Sequence, residues 1–301
     1  MPAAARVGDM HACPMVNPNA SPHTGGPIMP AGCPTVLIGG MPAARASDLA
    51  FCAGPPDAIA TGCPTVLIGY LQAARQGDPT LHGGVITVGC PTVQIGMAAP
   101  APAAASGPVV IGNMNGMDIV RMPDGTIKVG NGIVIQGDPA FQSAVLKDLG
   151  IIAGTPTGQK LLSSIDKSGK TVTIRKTDDG NTENADHFND GLLKKDGTPG
   201  KGSNATVDFN PAKTHIGDGS EPWMKRPTAV GLAHELIHAA HDMNGTTEYD
   251  YSDPNKSPQN YELQAVGLKG TKDGNPVDYS GNDFTENKIR SDLGEPERPR
   301  Y

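Results

Sequence analysis

The sequence predicts two modules of different fold class, a small all-β module followed by an α+β domain. Three observations carry this prediction: charged residues are unevenly distributed, a short block recurs three times near the start, and strand and helix signals alternate afterwards. A chain of 301 residues has room for two such modules, each with its own core.

The uneven charge separates the modules. Residues 1–100 contain no Lys and no Glu, only three Arg and four Asp, although the whole chain has 24 Lys and Arg and 31 Asp and Glu. Between the modules runs MAAPAPAAASGP, an Ala/Pro segment without periodicity or charge that is typical of a linker. We therefore expect modules at residues 1–96 and 109–301 with a linker at residues 97–108.

Composition also limits the function classes. The net charge of −7 makes nucleic acid an unlikely partner, and no stretch reaches the roughly 18 apolar residues of a membrane helix, so no stable membrane insertion is expected. Asp9, His11 and several prolines interrupt the N-terminus, which does not resemble a signal peptide. The five cysteines all lie in the first module, an odd number that favours reduced thiols or metal ligation over disulfides.

The first module is built from repeats. GCPTVLIGG, GCPTVLIGY and GCPTVQIGM alternate with AARVGD, AARASD and AARQGD, which predicts short strands between tight turns and a pseudo-threefold arrangement. Cys33, Cys63 and Cys90 occupy the equivalent position of each GCPTV block, so we interpret them as packing residues.

These repeats resemble the PAAR-repeat proteins that cap the spike of type VI secretion systems. The resemblance implies a small β cone that seats on the trimeric spike protein VgrG and holds a structural zinc ion near its apex with three His and one Cys. The family pattern maps onto His11, His23 and His82, with Cys52 as the fourth ligand.

The repeats themselves leave one alternative open. The position four residues beyond the Asp that ends each AAR block is Cys13, Cys52 and His82 in turn. Cys13 therefore competes with His11 as a ligand of the N-terminal zinc.

Strand and helix signals alternate in the second module. Strands are expected at Thr126 to Ile135, Thr171 to Lys176 and Ala205 to Asn210, and Asp138-Pro139 and Thr155-Pro156 are typical helix starts. The polar stretch at residues 177–204 predicts an exposed loop region. We also hypothesise that Ala205 to Asn210 is an edge strand that pairs with an extended peptide.

One motif in this module indicates zinc chemistry. In GLAHELIHAAHDM, residues 231–243, His234 and His238 are four positions apart and lie on one face of a helix, where they can bind one ion. Glu235 follows the first histidine and can act as a general base toward water. Apolar neighbours make these polar side chains costly to bury without a metal.

A catalytic zinc needs a third protein ligand. A histidine six residues after His238 would complete the metzincin pattern, but Asn244 stands there. The best candidate is Glu262, in a second helix that starts near Ser257-Pro258.

The C-terminal tail offers groups for the transition state. A last helix is expected with Asp283 as its cap and Glu286 at the third position, and Arg298 and Tyr301 follow it.

Together, HELIH, YELQAVG and TENKIRSDLGEPERPRY resemble the NleD-like effector metallopeptidases of type III secretion systems. This resemblance implies a zincin-like (gluzincin) fold, with His234, His238 and Glu262 as zinc ligands and Glu235 as catalyst. The spacing of Arg298 and Tyr301 is similar to the Arg-x-x-Tyr pair of clostridial neurotoxin light chains, which implies that both are catalytic residues.

The two resemblances together imply a type VI effector, made in the bacterial cytoplasm and secreted into a target cell. Its partners would be the VgrG spike, a target-cell protein substrate and an immunity protein. Two alternatives stay open: a zinc amidase that acts on cell-wall peptides, and a spike-tip adaptor with a non-catalytic binding domain.

Overall fold

The computed structural model describes residues 1–17, 22–96 and 107–301. The chain forms two compact units, one of residues 1–128 with 137–144 and one of residues 129–136 with 145–301. Most of the predicted linker, residues 97–106, lies outside the described residues, and the module bounds given above stay predictions.

Short antiparallel strands dominate the first part of the chain. They are β1 (Ala3–Ala4), β2 (His11–Ala12), β3 (Gly25–Ile28), β4 (Cys33–Ile38), β5 (Met41–Ala43), β6 (Leu49–Cys52), β7 (Asp57–Ala58), β8 (Cys63–Ile68), β9 (Leu71–Ala73), β10 (Val85–Ile86), β11 (Cys90–Gln94), β12 (Val109–Met114), β13 (Met117–Arg121) and β14 (Ile127–Val129). The N-terminal module is therefore β-rich, as the sequence predicts.

The three repeats form equivalent strand pairs. Each GCPTV block becomes a strand, and β4 pairs with β5, β8 with β9 and β11 with β1, all antiparallel. Cys33, Cys63 and Cys90 are buried together in one apolar cluster, which agrees with their interpretation as packing residues. Each AAR block closes on itself through an Arg–Asp ion pair, as between Arg75 and Asp78 at 2.9 Å.

Helices and strands alternate in the second part, which confirms the predicted α+β class. The elements are β15 (Ile133–Gln136), α1 (Pro139–Ala153), α2 (Pro156–Lys167), β16 (Val172–Lys176), β17 (Thr182–Ala185), α3 (Phe188–Gly191), β18 (Ala205–Phe209), a 3-10 turn (Pro222–Met224), α4 (Thr228–Asn244), α5 (Asn260–Val266), β19 (Lys269–Lys272), β20 (Asn275–Asp278) and α6 (Glu286–Asp292).

The sheet of the second unit carries α4 on one face. Strands β15, β16 and β18 are parallel, and β17 runs antiparallel to β18 at the end of the sheet. Ala205, Val207 and Phe209 alternate as buried residues along β18 and lie on the side of α4. Parallel pairing with buried, β-branched residues is what a helix-covered strand requires.

Two predictions about this sheet are wrong. The segment Ala205 to Asn210 does not form an edge, because β18 is hydrogen-bonded to β16 on one side and β17 on the other. Strand β17 and helix α3 lie in the stretch predicted as a loop region. The sequence TENA of β17 has no apolar alternation, so only its pairing with β18 makes it a strand.

The predicted starts of α1 and α2 are confirmed, and in α2 Thr155 caps the helix by accepting a hydrogen bond from the Gly158 amide at 2.9 Å. Three other predictions need correction. Helix α5 begins at Asn260, after the expected Ser257-Pro258; α6 is capped by Thr285 rather than Asp283; and the strand expected at Thr126 to Ile135 is divided into β14 and β15. A turn at Gly130, with φ of 57°, separates those two strands.

Within the described part of the chain, no helix combines the length and apolarity needed to cross a lipid bilayer.

We predict that Gly158→Ala destabilises the protein, although alanine favours helices by about 1 kcal/mol. A Cβ at this position would lie 1.9 Å from the carbonyl oxygen of Ile152, and a backbone atom cannot move aside cheaply. The expected cost is about 1–3 kcal/mol in the free energy of unfolding. The fluorescence of Trp223, the single tryptophan, measures it during denaturation. Gly281→Ala, which meets nothing within 4 Å, should leave the transition unchanged, and equal transitions for both variants would contradict the prediction.

Candidate metal centres and active-site cleft

Helix α4 positions the zinc-binding motif. It runs from Thr228 to Asn244 and ends where Gly245 adopts a left-handed conformation and donates its amide hydrogen to the last carbonyls. The helix packs against α2, α5, α6, β17 and β18, so almost all of its side chains are buried. The imidazoles of His234 and His238 are therefore held in place by the core.

Three predicted ligand atoms converge. The Nε2 atoms of His234 and His238 are 3.2 Å apart, and Glu262 Oε2 lies 3.7 Å from the first and 3.2 Å from the second. Tetrahedral zinc with bonds of 2.0–2.1 Å requires neighbouring ligand atoms about 3.3 Å apart. The donor set of two imidazoles and one carboxylate fits a catalytic zinc with one open position, and Glu235 lines the same cleft.

Behind this triad lies a carboxylate that the sequence prediction did not assign to the site. Glu286 is 0% exposed, and its Oε2 is 2.9 Å from Nδ1 of His234. Although burial lowers it, the carboxylates of Glu262 and Glu286 raise the pKa of His234 to about 9. A carboxylate at Nδ1 leaves Nε2 free to bind metal and fixes the ring.

Two arginines neutralise the buried carboxylate. Arg290 donates from Nε to Glu286 Oε1 at 2.6 Å, and Arg298 donates from Nη1 to Oε2 at 3.3 Å. Burial works against ionisation, but His234 and these cations hold the pKa of Glu286 well below its usual range. The sequence marked Glu286 only as an early helix position, because its partners on α4 and beyond α6 are distant in the chain.

Of the two residues expected to assist the transition state, Tyr301 lies in the cleft and Arg298 does not. Tyr301 lines the cleft, and burial and the nearby carboxylate of Glu262 raise its pKa above the usual range. Arg298 is only 6% exposed, does not line the cleft, and stacks its guanidinium 4.3 Å from the centre of the Tyr301 ring. Arg298 therefore contacts both Glu286 and Tyr301.

The cleft has a volume of about 440 Å³ and an acidic lining. Besides Glu235 and Glu262 it contains Glu183 from β17 and Asp242 from α4. Burial and the proximity of Asp242 raise the pKa of Glu183 to about 10. The sequence gave no signal for Glu183, which lies in the segment predicted as a loop.

A second cluster of metal-binding side chains lies in the N-terminal unit. It consists of Cys13, His23, Cys52 and His82. The Cys13 sulfur is 3.6 Å from His23 Nδ1 and 3.5 Å from His82 Nδ1, and the Cys52 sulfur is 3.2 Å from His23 Nδ1. Two thiols and two imidazoles are donors that suit a closed, tetrahedral zinc site.

The structure does not bring His11 into this cluster. Its Nδ1 lies 2.9 Å from the carbonyl oxygen of Gly26, and its Nε2 lies 3.3 Å from Oδ2 of the fully buried Asp57. Cys13 takes the fourth place, the alternative that the repeat spacing left open. In the structure the carboxyl group of Asp57 lies beside the imidazole that the family pattern assigns to the metal.

Comparisons with known proteins give two family matches. The model of the family Peptidase M91, described as effector protein, matches residues 130–301, and the PAAR motif model matches residues 18–88. Both resemblances inferred from the sequence are thereby confirmed. None of the curated proteins compared with the chain matches it.

Solved structures similar to the chain include clostridial neurotoxin light chains. The light chain of Clostridium botulinum neurotoxin serotype F is 12% identical, with 66% of this chain and 86% of that chain covered and a TM-score of 0.39. The light chain of botulinum neurotoxin type G is 15% identical, with 55% of each chain covered and a TM-score of 0.30.

We predict that Glu286→Gln weakens zinc binding at the His234 site by about 10- to 100-fold, because a neutral amide no longer orients and polarises the imidazole. Competition with a chromophoric chelator measures the dissociation constant. The exposed Glu297→Gln is the matched control and should bind as the parent does. Unchanged affinity in Glu286→Gln, with the fold intact, would show that the carboxylate has only a structural role.

Proposed function

Since the chain belongs to the Peptidase M91 family of effector proteins, we propose that it is a zinc endopeptidase toxin that a type VI secretion system delivers on its spike tip. The observation that carries the enzymatic part is the convergence of His234, His238 and Glu262 beside Glu235 in one cleft. A metallopeptidase with a PAAR motif combines a damaging activity with a route of delivery.

Each cleft residue has a distinct role in peptide hydrolysis. Zinc held by His234, His238 and Glu262 supplies Lewis-acid chemistry for attack on an amide. Glu235 takes the proton from the attacking water and passes it to the leaving amine. The Tyr301 hydroxyl lies in the same cleft as Glu262 and donates a hydrogen bond to the developing oxyanion.

Arg298 acts in this proposal as a positioning residue as well as a cation. Its guanidinium fixes the ring of Tyr301 from one side and neutralises Glu286 on the other. We expect its positive charge to favour the oxyanion through Tyr301 rather than by direct contact.

The peptide substrate is proposed to pair with β17. Among the residues that the structure describes, this strand pairs along one edge only, with β18, and Thr182 and Asn184 at its exposed face border the cleft. An extended peptide adds to such an edge through main-chain hydrogen bonds, which places its scissile amide over the ligand set.

The N-terminal unit is proposed to form a pseudo-threefold cone with a structural zinc held by Cys13, His23, Cys52 and His82. Its exposed strand faces carry apolar side chains at the equivalent position of two copies, Leu37 and Leu67, where the third copy has Gln94. Three equivalent strands suit a trimeric partner, which supports seating on VgrG. Secretion into a target cell follows from that association, and an immunity protein would protect the producing cell.

We predict that Glu235→Gln lowers peptidase activity by about 10²- to 10⁴-fold while zinc stays bound, because only the general base is lost. The full chain is incubated with bacterial and eukaryotic lysates, and new protein N-termini are sequenced. Termini that require Glu235 identify the substrate and the target kingdom.

The exposed Glu297→Gln should cleave as the parent does. The two alternative functions predict other results. Release of peptides from purified peptidoglycan without new protein termini would favour the zinc amidase, and toxicity unaffected by Glu235→Gln would favour the non-catalytic adaptor.

We predict that Cys13→Ser removes one zinc ion per chain, whereas His11→Gln keeps both ions, since His11 contacts Asp57 instead of the cluster. Metal analysis of the purified full chain measures the stoichiometry. Cys63→Ala, a buried cysteine of the core, controls for loss of a thiol. Loss of zinc in His11→Gln but not in Cys13→Ser would restore the family pattern.

A further inference from the structure

The wall of the cleft next to the ligand set contains acidic groups that hydrolysis does not use. Glu235 is the proposed base and Glu262 a ligand, which leaves Glu183 and Asp242. Both line the cleft, and Asp242 is 3% exposed.

One carboxyl oxygen of Glu183 accepts no hydrogen bond from the described residues. Among the residues that the structure describes, its Oε1 atom is buried without a hydrogen-bond partner, and the described lining of the cleft contains no Lys or Arg. Asp242, by contrast, accepts a hydrogen bond from the Thr247 hydroxyl at 2.6 Å. A buried carboxyl group that lacks a donor is favourable only if a ligand brings one.

Strand geometry directs a substrate side chain to this place. Glu183 and Ala185 are the less exposed residues of β17, while Thr182 and Asn184 face outward. A peptide strand paired with β17 has side chains that alternate in the same way, and the one opposite Glu183 lies with its Cβ about 5 Å away. It therefore enters the part of the cleft beside Glu183.

Two aromatic rings complete that space. Phe188, which is 44% exposed, and Tyr261 both line the cleft, and their ring centres are 6.4 Å apart. An aliphatic stem packs against such rings, and a cation at its end interacts favourably with their faces.

We propose that Glu183 and Asp242, flanked by Phe188 and Tyr261, form a subsite that selects a lysine or arginine side chain near the scissile bond of the substrate. This proposal rests on the proposed peptidase function and names its specificity. Glu183 is the specificity-determining residue, since it lines the cleft from β17 and no Lys or Arg of the described lining pairs with it.

A peptide library derived from a digested proteome tests the proposal with the zinc-loaded full chain. Cleaved bonds should be enriched in Lys or Arg at one fixed position. That enrichment should fall at least about tenfold in Glu183→Gln, which removes the ionisable carboxyl group but keeps the size of the side chain. The exposed Glu297→Gln, which does not line the cleft, should keep it.

A binding measurement separates this proposal from the proposed function. Peptide hydroxamates that carry lysine or norleucine at each position in turn are bound to the Glu235→Gln chain, which needs no turnover. Lysine should bind at least about tenfold tighter at one position, and Glu183→Gln should abolish the difference.

A lysine preference in binding without any cleavage by the parent would refute the peptidase function and retain the subsite. Cleavage that depends on Glu235 but shows no basic preference, or the same preference in Glu183→Gln, would overturn the subsite and identify the carboxyl pair as purely structural. Melting temperatures and zinc content of each variant exclude loss of fold as the cause.

Discussion

One buried carboxylate, that of Glu286, connects the elements around the candidate zinc site in the second unit. A fully buried carboxylate without partners would cost several kcal/mol, and here His234, Arg290 and Arg298 surround it. These partners come from α4, from α6 and from the segment after α6. The orientation of His234, a proposed zinc ligand, is therefore coupled to the packing of the last helix and the C-terminal residues, and Tyr301 reaches the cleft through the same arrangement.

The parts of the site that the sequence predicted are those encoded locally. His234, Glu235 and His238 follow from helix periodicity alone, and Glu262 follows from the need for a third ligand on a nearby helix. Glu286 and Glu183 could not be found in that way. Their roles depend on contacts between segments far apart in the chain, and Glu183 lies in a polar strand whose conformation is imposed by β18.

The N-terminal cluster allows two kinds of sequence evidence to be compared, the internal repeats and the family pattern. The internal repeat, counted from the Asp that ends each AAR block, indicates Cys13, Cys52 and His82, and the structure brings these three together with His23. Repeats fold into equivalent positions because each copy makes the same local contacts, including its own Arg–Asp ion pair. The family pattern instead selected His11, since residue type alone cannot reveal that Asp57 lies beside that imidazole.

Charge balance explains why the second unit can accommodate so many acidic side chains around helix α4. Glu286 is neutralised by Arg290 and Arg298, and a divalent ion at His234 and His238 would offset Glu262 and Glu235. No such compensation reaches Glu183 and Asp242 from the described residues of the cleft, and burial raises the pKa values of both groups. A substrate cation beside these two groups would supply the missing positive charge, and its attraction to them is strong in a low-dielectric wall. Acidic side chains that would be unfavourable in a core without a cation therefore provide a means of recognising a positively charged substrate.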